Sequence, residues 1–196
     1  MLCGAIMKNT KSRETDQRIV QLKITLLRTK PIVWRRIQVP ASATFQDLAG
    51  IINIAMGFFD YHLYLFTVAD EWVGNKEFDQ GEEWISDALV HLGAVADQGI
   101  MQFSYEYDFG DSWKHKILIE KVLQADPSQK YPICIAGKNA CPPEDCGGVW
   151  GFESLKEIMA NKKHPEYKEM LEWLGEPYDP LAFDREQINR RLIQRY

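Results

Sequence analysis

The chain is predicted to be an α+β protein, with a mixed or antiparallel sheet that starts strand-strand-helix-strand, in β-grasp-like order, and a helical C-terminal extension. Three observations carry this expectation. Two-residue alternation recurs over 19–28, 33–39, 62–68, 102–107 and 114–123, the period of half-buried strands. One helix with both caps interrupts the early strands. Helical spacing then dominates from about 152 onward.

Residues 1–18 read as a flexible leader, and 19–196 as one α+β domain made of a sheet-helix unit (19–123), an ordered Pro/Gly-rich loop (124–151) and C-terminal helices (152–196). Val20, Leu22, Ile24 and Leu26 alternate with polar residues, Pro31 interrupts, and Val33 to Val39 alternates again, so the first two strands form an antiparallel pair. Thr44 and Asp47 form a capping box, Phe45, Leu48, Ile52 and Ala55 follow at helical spacing, and Gly57 closes the helix. His62 to Val68 alternates as a strand. An acidic loop over 70–83 follows, then a helical piece over 85–92. Phe103, Tyr105 and Tyr107 alternate before the turn Asp108-Phe109-Gly110-Asp111, and Lys114 to Leu123 returns as the second arm of a hairpin. The Pro and Gly density of 127–151 excludes a regular element there. Helices are expected over 152–159, from Pro165 to Gly175, and from Asp184, which with Gln187 forms a second capping box.

Composition bounds the function classes. The 196 residues are 45% hydrophobic and 26% charged, the balance of a globular domain. The longest run free of Asp, Glu, Lys and Arg spans Leu48 to Phe59, twelve residues, short of the ~20 that cross a bilayer, so no membrane association is expected. Four cysteines, Cys3, Cys134, Cys141 and Cys146, are too few for a secreted disulfide framework and point to a cytoplasmic setting. The net charge of -5 is uneven: residues 1–40 carry nine bases and two acids, +7, whereas 41–100 carry one base and ten acids, -9. The basic 8–36 stretch is therefore a candidate surface for nucleic acid, and its alternative is mutual neutralisation within the fold. Phosphate-binding glycine loops, the Gly-x-Ser-x-Gly elbow and His-Glu-x-x-His are absent from the sequence.

Two stretches concentrate chemistry. Tyr107-Asp108-Phe109-Gly110-Asp111-Ser112-Trp113-Lys114-His115 places two carboxylates and an imidazole at a hairpin tip, a set able to gather a cation or exchange protons; turn-forming and anchoring roles are the alternative. Cys141-Pro142-Pro143-Glu144-Asp145-Cys146 carries two thiols at Cys-x4-Cys spacing, so zinc held by His62, His115, Cys141 and Cys146 is one expectation. A Cys141–Cys146 disulfide is set against the reducing setting expected of a cytoplasmic chain, and a Cys141 nucleophile with His115 as base is opposed by Glu144 and Asp145, which work against thiolate formation.

These stretches, with Pro31-Ile32-Val33-Trp34-Arg35-Arg36, Asp60-Tyr61-His62-Leu63 and Tyr178-Asp179-Pro180-Leu181-Ala182-Phe183-Asp184, resemble the plasmid pRiA4b open-reading-frame-three-like family from about Ile19 to the C-terminus. The resemblance implies a compact α+β domain found on plasmids and beside transposable elements, with no established activity. It focuses the candidate binding set on Trp34, Arg35, Arg36, His62, Tyr107, Asp108, Asp111, Trp113, His115, Glu144 and Asp145, which are expected to cluster. The leading expectation is a non-enzymatic binding module linked to plasmid or mobile-element biology, with a nucleic-acid or protein partner. The alternatives are a metal-dependent, hydrolase-like enzyme using His62, Asp108, Asp111 and His115, and a protein-interaction domain.

Overall fold

The computed structural model describes residues 16–79 and 81–196. Eight strands form one sheet in the order β5-β4-β3-β6-β7-β1-β2-β8, with β1 Arg18–Leu26, β2 Trp34–Pro40, β3 Tyr64–Val68, β4 Glu71–Gly74, β5 Ile85–Ser86, β6 Gln102–Tyr107, β7 Trp113–Gln124 and β8 Ile133–Lys138; the helices are α1 Phe45–Met56, α2 Leu92–Asp97, α3 Gly148–Ala160, α4 Tyr167–Leu174 and α5 Arg185–Arg195. Among the described strands only β4 and β5 run parallel. The other neighbours are antiparallel.

Period-two alternation gives the sheet a dry face and an open one. Leu22, Ile24, Ile37, Ile117, Ile119, Tyr105 and Phe66 are buried on the first, against Phe45, Leu48, Ile51 and Ile52 of α1. Burial of this apolar surface is the main force that holds helix to sheet. The α1 caps follow the sequence: Thr44 accepts from the Asp47 N–H, Asp47 answers to the Thr44 N–H, and Gly57 sits at φ 104.

Several expectations are corrected. Of the leader expected over residues 1–18, residues 1–15, Cys3 among them, lie outside the described residues, and Arg18 already belongs to β1. The third strand starts at Tyr64, leaving His62 and Leu63 in a loop. The described residues of the acidic 70–83 stretch contain β4 and a 3-10 turn, Lys76–Phe78. The predicted helix over 85–92 is instead a short strand followed by turns, because its backbone bonds outward: the Asp87 N–H donates to the Gly74 carbonyl, and the Asp87 and Val90 carbonyls accept from the Phe45 N–H. Those outside partners displace the internal helical bonds.

The Pro/Gly-rich loop holds a regular element after all. β8 pairs with β2 as the edge of the sheet, and an edge strand needs only one row of backbone bonds, so Pro132 and Gly137 at its ends are tolerated. α3 starts four residues earlier than predicted, because Gly147, at φ 87, caps it and Gly148 and Gly151 are inside it. A Cβ on Gly151 would fall on the Cys146 carbonyl oxygen. These glycines therefore enable the helix start to pack against the preceding loop.

Candidate functional site

Three segments distant in sequence meet at one end of the sheet: the α1–β3 loop, the β6–β7 hairpin tip and the 141–147 loop. The first is set by a polar residue inside α1. Asn53, fully buried, accepts from the Tyr105 hydroxyl and donates to Asp60 Oδ1, while Arg195 of α5 reaches Asp60 Oδ2 at 2.9 Å. Those bonds fix the chain just before Tyr61 and His62. The hairpin is set by Asp108, at φ 56, a left-handed conformation that Asp tolerates better than most residues. Its side chain accepts from the Gly110 N–H, and its backbone N–H donates to the Leu63 carbonyl.

Glu144 joins all three segments. Its Oε1 accepts from the Phe59 N–H at 2.7 Å and from the Tyr107 hydroxyl at 2.9 Å. Its Oε2 is buried with no hydrogen-bond partner among the described residues, as is His62 Nε2. His62 Nε2 lies 3.9 Å from that Oε2, 3.7 Å from Asp108 Oδ2 and 3.1 Å from Asp145 Oδ1; the shortest contact is misaligned for a hydrogen bond. Tyr61 donates its hydroxyl to Asp145 Oδ2 at 3.0 Å and stacks with Phe59 at the rim. Among the described residues, His62, Asp108 and Asp145 hold ligating atoms all within 4.8 Å of one another.

Thus His62, Tyr107, Asp108, Glu144 and Asp145 of the candidate set come together. Asp111 lies beside them in a different role, accepting from the Gly147 N–H at 3.3 Å and so tying the hairpin to the start of α3. Trp113 and His115 do not join. Both are fully buried, Trp113 against Phe58 and Phe152, His115 against Tyr105 and Phe58. Alternation on β7 sends both to the dry face. The expected His62/His115/Cys141/Cys146 zinc set is therefore not assembled, nor is the His62/Asp108/Asp111/His115 set. Cys141 and Cys146 are free thiols, pushed upward in pKa by burial, Cys146 to about 12, and so kept protonated at neutral pH.

Trp34, Arg35 and Arg36 lie away from this cluster on β2. Arg35 points into the dry side, where its guanidinium donates to the carbonyls of Ala55, Trp34 and Lys138 and covers the Phe183 ring. Arg36 is on the open face, paired with Glu120 at 2.6 Å, and it flanks the Trp34 ring together with Lys23. The candidate set left out Asn53, Phe59, Asp60 and Tyr61, although Asp60 and Tyr61 stand in a stretch that carries the family resemblance. Asn53 carried a signal of its own, an amide at a core-facing position within the apolar run from Leu48 to Met56.

One stability prediction arises at this junction. Gly148 has φ 65, and a Cβ there would lie 2.7 Å from the Asp111 carbonyl oxygen. Gly148→Ala is expected to cost about 2 kcal/mol, read as a lowered denaturant midpoint. An unchanged midpoint would show that the loop and hairpin separate freely.

The plasmid pRiA4b ORF-3-like protein family matches residues 18–187. The uncharacterised protein y4hQ of Sinorhizobium fredii (strain NBRC 101917 / NGR234) is 38% identical over 174 residues, 88% of this chain and 89% of that protein. The crystal structure of the protein of unknown function MM3350 from Methanosarcina mazei Go1 superposes with a TM-score of 0.80 at 36% identity, covering 88% of this chain and 98% of that one. The site's loops, the hairpin tip and β2 all lie inside the matched residues, and the chain belongs to the plasmid pRiA4b ORF-3-like protein family.

Proposed function

We propose that the protein is a nucleic-acid-binding module that receives a single strand across the open face of its sheet. The supporting observation is a row of directly opposed residues running through seven strands: Trp72, Thr67, Ser104, Lys116, Thr25, Trp34 and Lys138. None of them is buried. Strand spacing puts the two tryptophans about 24 Å apart, a span of several nucleotides. Lys23, Arg36, Lys114 and Lys121 share this face with Glu106 and Glu120, so the six cations and two carboxylates of these strands sum to +4 on a chain of -5.

Flat rings, hydroxyls and cations on an exposed sheet suit a polymer with stacked bases and a phosphate backbone. The surface differs from the basic 8–36 stretch considered earlier. Lys8, Lys11 and Arg13 lie outside the described residues, Arg18 is engaged by Asp16 and Asp97, and Arg35 is buried; Lys23 and Arg36 gain their company from β7 and β8. The plasmid in the family's description is the setting on which the mobile-element reading draws.

Fluorescence anisotropy with a labelled oligothymidylate of about twelve nucleotides tests this reading. Saturable binding is expected, weakening with salt. The double variant Lys23→Glu/Lys116→Glu should bind at least about tenfold more weakly with a shallower salt dependence, and Trp72→Ala should lose about 1–3 kcal/mol. Absence of binding at low salt, or affinity indifferent to these substitutions, would overturn it. Retention on anionic vesicles or an acidic protein with oligonucleotides inert would assign the face to another partner.

A further inference from the structure

We infer that His62, Asp108, Glu144 and Asp145 form a binding site for a divalent first-row transition cation, separate from the open sheet face. The carrying observation is the pair of orphaned atoms. Glu144 has a side chain only 5% exposed; one oxygen is held by two donors, and the other is buried, unpartnered and aimed at His62 Nε2, itself unpartnered. A buried carboxylate oxygen without a donor is costly, and a cation between it and the imidazole removes the cost for both.

Geometry agrees with an ion rather than with direct pairing. The three carboxylate oxygens stand 3.1, 3.7 and 3.9 Å from His62 Nε2, too far or too misaligned for good hydrogen bonds. First-row ions bind such ligands at ~2.0–2.2 Å, which in a tetrahedral shell separates neighbouring ligand atoms by roughly 3.3–3.6 Å. The three separations from the imidazole bracket that range; His62, Asp108 and Asp145 hold ligating atoms all within 4.8 Å of one another, and Glu144 joins them through its 3.9 Å approach to His62. One imidazole nitrogen with three carboxylates favours Mn2+, Fe2+ or Zn2+ over the all-oxygen preference of Ca2+ and Mg2+. The ligands also differ in rigidity. Glu144 is clamped by Phe59 and Tyr107, and Asp108 by its own turn, whereas the Asp145 side chain is 59% exposed and steadied by the Tyr61 hydroxyl. Asp145 therefore marks the side from which an ion enters and at which a further ligand would be accepted.

The test is calorimetric titration of the chelator-treated full chain with Zn2+ and with Mn2+, paired with thermal unfolding. One ion per chain is expected for at least one of the two metals, and its addition should raise the melting temperature. Glu144→Gln keeps an oxygen for the Phe59 and Tyr107 donors, and Asp145→Asn changes an exposed group; both should fold yet bind at least about tenfold more weakly, with the thermal gain lost. Cys141→Ser should bind as the parent does. No saturable binding of either metal, undiminished binding by both carboxylate variants, or loss of binding in Cys141→Ser alone would each overturn the assignment. Oligonucleotide affinity of the carboxylate variants should stay at the parent level, which keeps this result distinct from the fate of the sheet-face reading.

Discussion

Arg35→Ala is expected to destabilise the protein by about 3 kcal/mol or more, whereas Arg36→Ala, one residue along the same strand, should cost under about 1 kcal/mol. The difference comes from where strand alternation sends each side chain. Arg35 is buried, with no carboxylate at its guanidinium among the described residues; its charge is stabilised by three backbone carbonyls, one of them the Ala55 oxygen in the last turn of α1. That oxygen lacks an intrahelical donor at a helix end where a cation is favourable. Burial lowers the Arg35 pKa, yet the group is always charged in proteins, so removing it takes the donors from buried acceptors as well as packing from Phe183. Arg36 instead makes a half-exposed ion pair with Glu120. Chemical denaturation of both variants measures the contrast. Equal costs would mean that the buried guanidinium adds nothing beyond a surface ion pair.

The second large effect is acid sensitivity. His115 is held down to about 4 from an ordinary value near 6.5, chiefly because burial penalises its charged form; the neighbouring Tyr105 and Trp113 backbone offsets this only in part, and neither ring nitrogen has a well-aligned partner. Between these two pH values the unfolded chain binds a proton that the folded chain refuses. Stability from this group is therefore complete above about pH 6.5 and declines as the pH falls towards 4, by about 3 kcal/mol in all. His115→Leu keeps an apolar side chain of similar size and removes the proton site. Its stability should fall less steeply than that of the parent across this window, and parallel pH profiles would show that His115 contributes nothing to acid unfolding.

These two residues also show how far sequence reasoning reaches. Arg35 was a candidate binding residue through the family resemblance, and His115 through the polar stretch at the hairpin tip as well. Alternation along β2 and β7 was legible and implies that Arg35 and Arg36 face opposite sides, as do Lys114 and His115; it does not say which side is dry. That was decided by the helices, which cover one face. Likewise the carboxylates of the hairpin tip were legible as a cluster, but the partition among them was not. Asp108 faces His62 while Asp111 bonds to Gly147, because the left-handed conformations at Asp108 and Ser112 turn the two side chains apart.

By itself the sequence determined what depends on near neighbours: the two leading strands, α1 with its Thr44 and Gly57 caps, the β6–β7 hairpin, and the start of α5, where Asp184 accepts from the Gln187 N–H. Such features are set by periods of two and 3.6 residues and by capping bonds within a turn. Only the tertiary structure decided that β8 closes the sheet inside a Pro/Gly-rich stretch, that cations from β1, β2, β7 and β8 share one face, and that Glu144 spans Phe59 and Tyr107. Those outcomes require segments far apart in sequence, 85 residues between Phe59 and Glu144 and 104 between Trp34 and Lys138, to be brought together by burial of apolar surface. That force has no direction along the chain, so local pattern carries no record of which polar groups it will leave facing one another.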